Sequence, residues 1–345
     1  MINTALVSFG MSGKVFHAPF LATNPQYKLV GSWERSTKNI EAAYPGTISY
    51  DSYEALLADQ TIDLVVVNSP NDTHFIYAKS ALLAGKHVVV EKAFTVTAKE
   101  AEELDILANS KGLKLAVYHN RRYDADFLTL QQLIQEGEIG TLQDVQISFE
   151  RYRTTLSQKK HKESVTPGAG LLYDLGPHLV DQAILLSGMP LAVFADIRIT
   201  RNVSIIDDYF TMILYYPAHR ITLTSGMLYM TEGPGYKVYG TNGCFIKNRS
   251  DVQEAELIAG KKPNGPNWGA EAPADYGTLY TDMNGIITHK VIPSISGNYG
   301  LFYDKMAAAI LQDGPLPTTA AEGANIIRVL EAARNSAFNK RVVGI

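Results

Sequence analysis

The chain has 345 residues, of which 46% are hydrophobic and 19% are charged, so it can bury a sizeable core and does not have a disordered composition. A formal net charge of -4 with interspersed signs offers no positive field on which a nucleic acid or an anionic membrane would dock. The single cysteine, Cys244, excludes an internal disulfide, and no cluster of cysteines and histidines predicts a metal site. We therefore expect a small-molecule function with no nucleic-acid, membrane or metal partner.

The N-terminal segment does not have the pattern of a signal peptide. It has no basic region, and the apolar stretch that follows is interrupted at Gly10 and Lys14. No run of about 18 apolar residues without a charge occurs, so no membrane-spanning helix is expected. These features predict a cytoplasmic protein.

Between residues 3 and 120, short apolar runs alternate with amphipathic segments, the pattern of βα repeats around a parallel sheet. The predicted strands are 4–9, 28–33, 64–67, 88–91 and 115–118. Asp51 with Glu54, and Thr97 with Glu100, have the spacing of a capping box and predict two helix starts. The segment is therefore predicted to be doubly wound, with ligands at the carboxyl ends of its strands.

After residue 120 the pattern changes. Helices are predicted over 124–136 and 170–187, around an alternating strand at 145–149. Half-polar strands follow at 209–216, 220–229 and 236–239, then a turn at 241–243, a surface excursion over 248–275 and a last helix over 320–338. Together with the chain length, this change of pattern predicts an α/β fold of two domains. An N-terminal Rossmann domain (1–120) precedes an α/β domain (121–345) with a large, mainly antiparallel open sheet.

The first strand runs into a turn that matches GxGxxG, except that Ser8 replaces the first glycine. The middle glycine lets the backbone approach a pyrophosphate, the last lets the helix pack on the strand, and the helix N-terminus attracts the phosphate. The predicted dinucleotide contacts are Gly10, Met11, Ser12 and Gly13. The alternative is a plain glycine turn between strand and helix.

Glu34 ends the second predicted strand, where an acid can hydrogen-bond the adenosine ribose and so favour NAD. Arg35 follows it, and a guanidinium there can pair with a 2′-phosphate and so permit NADP. The cofactor is therefore predicted as NAD or NADP. A solvated ion pair at a strand end is the alternative.

The next two strand ends carry further candidate cofactor contacts. They are Ser69, Pro70, Asn71 and His74 after the third predicted strand, and Glu91 and Lys92 after the fourth. The alternatives are a turn that caps the following helix, a structural histidine and a satisfied ion pair. For Lys92 we favour a function, because it lies directly at the carboxyl end of a buried strand.

A second group of candidates lies in the helix predicted over 170–187. Asp174 and His178 are four residues apart, so a carboxylate could orient an imidazole on one helical face, and Pro177 predicts a kink or an interrupted turn. Removal of hydride from an alcohol needs a base, and His178 is our candidate. A core histidine bonded to Asp174 is the alternative.

These residues resemble the glucose-fructose oxidoreductase, inositol dehydrogenase and rhizopine-catabolism (Gfo/Idh/MocA) family, and within it the NADP-dependent scyllo-inositol dehydrogenase type. The resemblance covers essentially the whole chain and rests on segments 10–19, 118–122 and 172–176 with His178. The family's EKP motif is Glu91-Lys92-Ala93 here, which keeps the lysine and lacks the proline.

The resemblance implies that Lys92 orients the substrate hydroxyl, that Asp174 and His178 are catalytic with His178 as acid/base, and that Asn120 and Arg121 lie near the substrate. Tyr152 is a further predicted substrate contact, with a packing or interface role as its alternative. The open sheet of such proteins often forms the oligomer interface, so a homodimer or homotetramer is expected.

The predicted function is an NAD(P)-dependent dehydrogenase that transfers a hydride between the nicotinamide and a secondary alcohol or ketone of a polyol, an inositol or a sugar. The alternative is a dinucleotide-binding regulator of the same fold without turnover.

Overall fold

The computed structural model describes residues 1–35, 37–157 and 163–345. The chain divides into two compact units. The first contains Met1–Asn120, Gln253–Trp268 and Asn298–Ala324, and the second contains Arg121–Val252, Gly269–Gly297 and Asn325–Ile345. Two later segments of the chain therefore belong to the first unit.

Among the described residues, the first unit holds a parallel sheet of six strands in the order β3-β2-β1-β4-β5-β6. The strands are β1 (Ile2–Leu6), β2 (Tyr27–Trp33), β3 (Ile48–Tyr50), β4 (Leu64–Val67), β5 (His87–Glu91) and β6 (Leu115–Tyr118). The strand order reverses between β1 and β4, the position at which doubly wound sheets bind ligands. The first strand ends at Leu6, before the predicted residue 9, because the chain turns from Val7 onward.

Helices cover the sheet of the first unit. They are α1 (Ala18–Thr23), preceded by a π-helical turn at Gly13–His17, then α2 (Ile40–Ala43), α3 (Tyr53–Ala58), α4 (His74–Leu83) and α5 (Ala98–Ser110). Strand β4 is fully buried along its length, as expected of a strand covered on both faces.

One of the two predicted capping boxes is present. In α5, Thr97 Oγ1 accepts from Glu100 N at 3.2 Å and the Glu100 carboxylate accepts from Thr97 N at 3.0 Å. The prediction for Asp51 was wrong, because Ser52 caps α3 by accepting from Ala55 N at 3.0 Å. The Asp51 carboxylate instead pairs with Lys38 Nζ at 2.6 Å on the surface.

The second unit holds a sheet in the order β14-β13-β12-β11-β7-β10-β9-β8-β15 within the described ranges. The strands are β7 (Leu142–Glu150), β8 (Ala192–Arg198), β9 (Tyr209–Tyr215), β10 (Arg220–Gly226), β11 (Tyr236–Gly240), β12 (Gly243–Lys247), β13 (Gly277–Met283), β14 (Ile286–Ile292) and β15 (Val343–Gly344). The pairing of β7 with β10 is parallel and the other pairings are antiparallel. The mainly antiparallel sheet that the sequence predicts is therefore confirmed.

The helices of this unit are α6 (Ala125–Gln135), α7 (Leu171–Asp174) and α8 (Gly176–Ser187), and α8 packs on β7 and β10. Burial alternates along the central strands, as in β10, where Ile221 and Leu223 are buried while Thr222 and Thr224 are half-exposed. One sheet face therefore contributes to the core and the other stays open.

Three helices occur later in the chain: α9 (Gln253–Ile258) before β13, then α10 (Gly300–Gln312) and α11 (Ala320–Asn339) between β14 and β15. The last helix has nearly the predicted bounds. The part of the predicted excursion that lies in the second unit is anchored by Lys247, whose Nζ lies 2.6 Å from Glu271 Oε2, with both side chains fully buried. No helix in the described part of the chain is long and apolar enough to cross a membrane.

Candidate functional site

The turn after β1 has the geometry of a dinucleotide-binding turn. Gly10 N donates to Ser8 Oγ at 3.2 Å, and Lys14 N donates to Gly10 O at 2.9 Å at the start of the helix. A Cβ on Gly13 would lie 2.4 Å from Ser8 O, so this position needs glycine for the helix to pack on the strand end. Gly10 is exposed, between the exposed Met11 and the buried Phe9.

Asn68, the first residue after β4, was missed by the sequence analysis. Its Nδ2 donates to Ser8 O at 2.7 Å, which identifies Oδ1 as the remaining acceptor. That atom is buried and receives no hydrogen bond from any residue that the structure describes. A buried acceptor without a donor costs about 1–3 kcal/mol, which a ligand hydroxyl could offset. The glycine turn and this acceptor together fit a bound dinucleotide.

The Glu34 carboxylate is engaged within its own loop. Its Oε1 accepts from Asn39 N at 2.9 Å and Ile40 N at 3.0 Å, and its Oε2 accepts from Thr37 Oγ1 at 3.0 Å. These bonds cap the start of α2 and use most of the acceptor capacity of a carboxylate. Arg35, the next residue, is exposed.

The segment after β4 forms a 3₁₀ turn (Asn71–Thr73) that leads into α4 and follows Pro70. Ser69 Oγ accepts from Thr73 Oγ1 at 2.7 Å. The fully buried His74 ring lies with Nδ1 2.8 Å from Ala93 O and Nε2 2.8 Å from Ser69 O. Burial lowers the pKa of His74. His74 thus joins the segments that follow β4 and β5.

At the end of β5, Glu91 is surrounded by donors. Its Oε1 lies 3.0 Å from His17 Nε2 and accepts from Ser12 Oγ, while its Oε2 accepts from Lys92 N at 3.1 Å. Burial opposes ionisation of Glu91, but the hydrogen bond and attraction of His17, together with Ser12 and Lys92, lower its pKa to about 2. Lys92 is half-buried, and its peptide bond to Ala93 is cis although residue 93 is not proline.

In the second unit, α7 ends at Asp174 and α8 begins at Gly176, with Pro177 in its first turn. The predicted interruption at Pro177 is therefore present, since Pro177 cannot donate a hydrogen bond to the preceding turn. His178 is buried on α8 and its backbone N donates to Leu175 O at 3.2 Å, whereas Asp174 is half-buried on α7. The four-residue spacing thus spans two helices.

Asp207, which no local pattern identifies, holds the start of α7. Its carbonyl oxygen accepts from Leu171 N at 2.8 Å and its Oδ2 accepts from Leu172 N at 2.7 Å. Gly170 has φ +89°, and a Cβ there would lie 2.2 Å from Asp207 Oδ1. Burial raises the pKa of Asp207. The helix that ends at Asp174 is therefore fixed by a residue distant in the sequence.

The predicted substrate contacts have different surroundings. The Arg121 guanidinium lies 4.9 Å from the Phe149 ring centre and 3.3 Å from Asp124 Oδ2. Asn120 is buried at the start of a 3₁₀ turn, and Tyr152 is 48% exposed. Within residues 1–35, 37–157 and 163–345, no group of three or more His, Cys, Asp or Glu side chains could hold a metal ion.

Two family models match the chain. Residues 2–119 match the NAD-binding Rossmann fold of the Gfo/Idh/MocA oxidoreductases, and residues 131–345 match their C-terminal alpha/beta domain. The chain belongs to the Gfo/Idh/MocA oxidoreductase family. This confirms the family, the fold class and the NAD(P) cofactor that the sequence predicts.

Relatives of this Gfo/Idh/MocA oxidoreductase match over nearly the whole chain. The scyllo-inositol 2-dehydrogenase (NADP(+)) IolW of Bacillus subtilis is 38% identical, covering 99% of this chain and 95% of the relative. The solved oxidoreductase yvaA of Bacillus subtilis has a TM-score of 0.97 at 38% identity, covering 100% of this chain and 98% of that one. An oxidoreductase structure from Bacteroides fragilis has a TM-score of 0.91 at 44% identity, covering 100% of both chains.

Proposed function

We propose that this family member is an NAD(P)-dependent dehydrogenase that transfers a hydride between the nicotinamide and the CH–OH carbon of a polyol, an inositol or a sugar. The observation that carries the proposal is the end of β5, where the Glu91 carboxylate joins Ser12 of the glycine turn to the backbone of Lys92. The backbone of Lys92 is thereby linked, through Glu91, to the turn that we propose receives a dinucleotide. The relative IolW is named a scyllo-inositol 2-dehydrogenase (NADP(+)), and this name supports the same class of reaction.

We assign cofactor binding to the first unit. The backbone of the turn from Gly10 through Met11 and Ser12 to Gly13 would hold the pyrophosphate, and the Asn68 amide and the Ser69-Pro70-Asn71 segment line the adjacent strand end. When bound, the nicotinamide supplies the acceptor or donor of the hydride. The protein contributes binding and orientation.

We assign the proton chemistry to His178, which accepts the hydroxyl proton as the alcohol is oxidised and returns it in the reverse direction. Asp174 orients that imidazole, and the Lys92 ammonium stabilises the negative charge that develops on the reacting oxygen. We propose a functional boundary at residue 120, with Asn120 and residues 121–345 supplying the substrate contacts other than Lys92. Arg121 and Tyr152 are the proposed substrate contacts.

The test is reduction of NADP⁺ and NAD⁺, followed at the near-ultraviolet absorbance of the reduced cofactor, against a panel of inositols, polyols and aldoses. We expect turnover of at least one secondary alcohol. Tight binding of NADPH, measured by its fluorescence, without turnover of any substrate in the panel would favour the regulator over the enzyme.

We propose NADP as the preferred cofactor, because the Glu34 oxygens are engaged in capping α2 while Arg35 is exposed beside them. Arg35→Ala should weaken NADPH binding by about ten- to a hundredfold and leave NADH binding nearly unchanged. The reason is that a charge-assisted pair with the 2′-phosphate contributes about 1.5–3 kcal/mol to binding. Fluorescence titration with both cofactors measures this. Lys38→Ala removes a cation of the same loop that already pairs with Asp51, so it should change neither affinity. Equal losses of affinity for NADPH and NADH in Arg35→Ala would rule out a contact between Arg35 and the 2′-phosphate.

We propose that the open face of the second unit's sheet forms the interface of a homodimer or homotetramer. That face exposes Tyr215, Tyr239 and Tyr280 among half-polar residues, and aromatic side chains of this kind are enriched at protein interfaces. Light scattering after gel filtration should report an oligomer, and Tyr239→Glu should shift it toward the monomer. Phe338→Glu, at an exposed position on α11, is the matched control and should not. A monomeric wild-type protein would contradict this assignment.

A further inference from the structure

Four side chains from three separate segments of the chain meet next to the glycine turn of the first unit. His17 Nδ1 lies 2.6 Å from Tyr303 Oη, and His17 Nε2 lies 3.0 Å from Glu91 Oε1, which also accepts from Ser12 Oγ. His17 and Tyr303 are fully buried. Tyr303 belongs to α10, so the network joins the turn, the π-helical segment, the end of β5 and a helix from late in the chain.

The two oxygens of Glu91 have separate partners. Oε1 accepts a hydrogen bond from the Ser12 hydroxyl and lies 3.0 Å from His17 Nε2, and both residues belong to the segment that begins in the glycine turn. Oε2 receives the backbone N–H of Lys92 at 3.1 Å. A carboxylate can accept on both oxygens at once, whereas a glutamine offers one oxygen and presents donors on the other side.

We propose that Glu91 is a positioning residue that fixes Lys92 relative to the dinucleotide turn, with His17, supported by Tyr303, and Ser12 holding its carboxylate in place. The inference rests on the proposed role of Lys92 at the reacting hydroxyl. The buried Glu91 carboxylate bridges the segment proposed to hold the cofactor and Lys92, the residue that follows Glu91 in the chain. Its low pKa keeps the bridge in the acceptor form at assay pH.

The kinetic test is a double-mutant cycle. Glu91→Gln should lower kcat by about ten- to a hundredfold, because a displacement on the order of 1 Å at a reacting group has effects of that size. If Glu91 acts through Lys92, the double variant Glu91→Gln/Lys92→Ala should be no slower than Lys92→Ala alone, within about twofold. A double variant whose loss equals the product of the two single losses would overturn the proposal.

A matched control separates positioning from general loss of stability. Glu271 is another buried carboxylate that pairs with a cation, but it lies in the second unit, where its carboxylate accepts from Lys247 and Ser250. Glu271→Gln should lower the thermal midpoint without reducing kcat in the folded protein. The double variant Glu271→Gln/Lys92→Ala should therefore show the kcat of Lys92→Ala and the melting behaviour of Glu271→Gln. By contrast, Glu91→Gln must reduce kcat at a temperature at which the Glu91→Gln protein remains folded.

A second readout needs no substrate. Lys92 is half-buried, and the fraction of its amine that a succinimidyl ester modifies is measured by mass spectrometry with and without NADPH. NADPH should protect Lys92 in the wild-type protein, and Glu91→Gln should reduce that protection at saturating cofactor. Unchanged protection would overturn the positioning role. If no substrate is turned over although NADPH binds, the proposed dehydrogenase function fails while this measurement still decides the inference.

Ser12→Ala keeps the test decisive if Glu91→Gln does not fold. This variant removes one donor to the Glu91 carboxylate and leaves His17 and the Lys92 backbone in place. It should reduce the NADPH protection of Lys92 by a smaller amount in the same direction. Full protection in Ser12→Ala at saturating NADPH would contradict the proposal.

Discussion

His178→Ala is expected to lower kcat by about a hundredfold or more, the usual contribution of a positioned general acid/base. The affinity for NADPH should stay nearly unchanged, because His178 lies on α8 of the second unit while the dinucleotide turn lies in the first. Lys92→Ala should lower kcat similarly, since its ammonium is assigned to the developing charge on oxygen. Steady-state kinetics at saturating cofactor and fluorescence titration of NADPH provide the two measurements.

His219→Ala is the matched control for the first prediction. His219 is a half-buried histidine of the same unit that stacks on Tyr216 and lies 2.8 Å from Ser187 Oγ, and no chemistry is assigned to it. Its removal should leave kcat near the wild-type value. A folded His178→Ala protein with near-normal turnover would refute the acid/base role, and loss of folding in a thermal melt would support a core histidine instead.

Lys247→Met is expected to lower the free energy of unfolding by about 3–5 kcal/mol, because it leaves a buried carboxylate without its cation. Lys247 Nζ lies 2.6 Å from Glu271 Oε2 and donates to Asp275 O at 2.8 Å and to Ser250 Oγ at 3.2 Å. These bonds anchor the loop from β12 toward β13. Urea or guanidinium unfolding followed by circular dichroism measures the change.

Two comparisons test the cause of that loss. The double variant Lys247→Met/Glu271→Gln removes the uncompensated charge and should recover part of the lost stability. Arg220→Ala breaks an exposed pair with Asp144 in the same sheet and should change stability little. If Lys247→Met costs no more than Arg220→Ala, the buried pair does not stabilise the loop.

Local patterns predicted the features that depend on neighbouring residues. The apolar runs at 64–67 and 115–118 have the observed bounds of β4 and β6, because burial on both faces requires continuous apolar sequence. Thr97 and Glu100 form the predicted capping box, since its bonds join residues three apart. Three-residue β3 was missed because so short a segment has no resolvable period.

The sequence by itself determined the family, the Rossmann and α/β architecture and the glycine turn after β1, because motifs and periodicity are local. Only the tertiary structure decided which partners the polar groups find. Glu34 caps α2, Asn68 reaches Ser8, Asp207 holds α7 and His17 meets Glu91. Except for the Glu34 cap, these contacts join residues far apart in the chain, and all depend on how loops and elements pack. No spacing encodes them, since a buried polar group takes whichever partner the fold brings within hydrogen-bond distance.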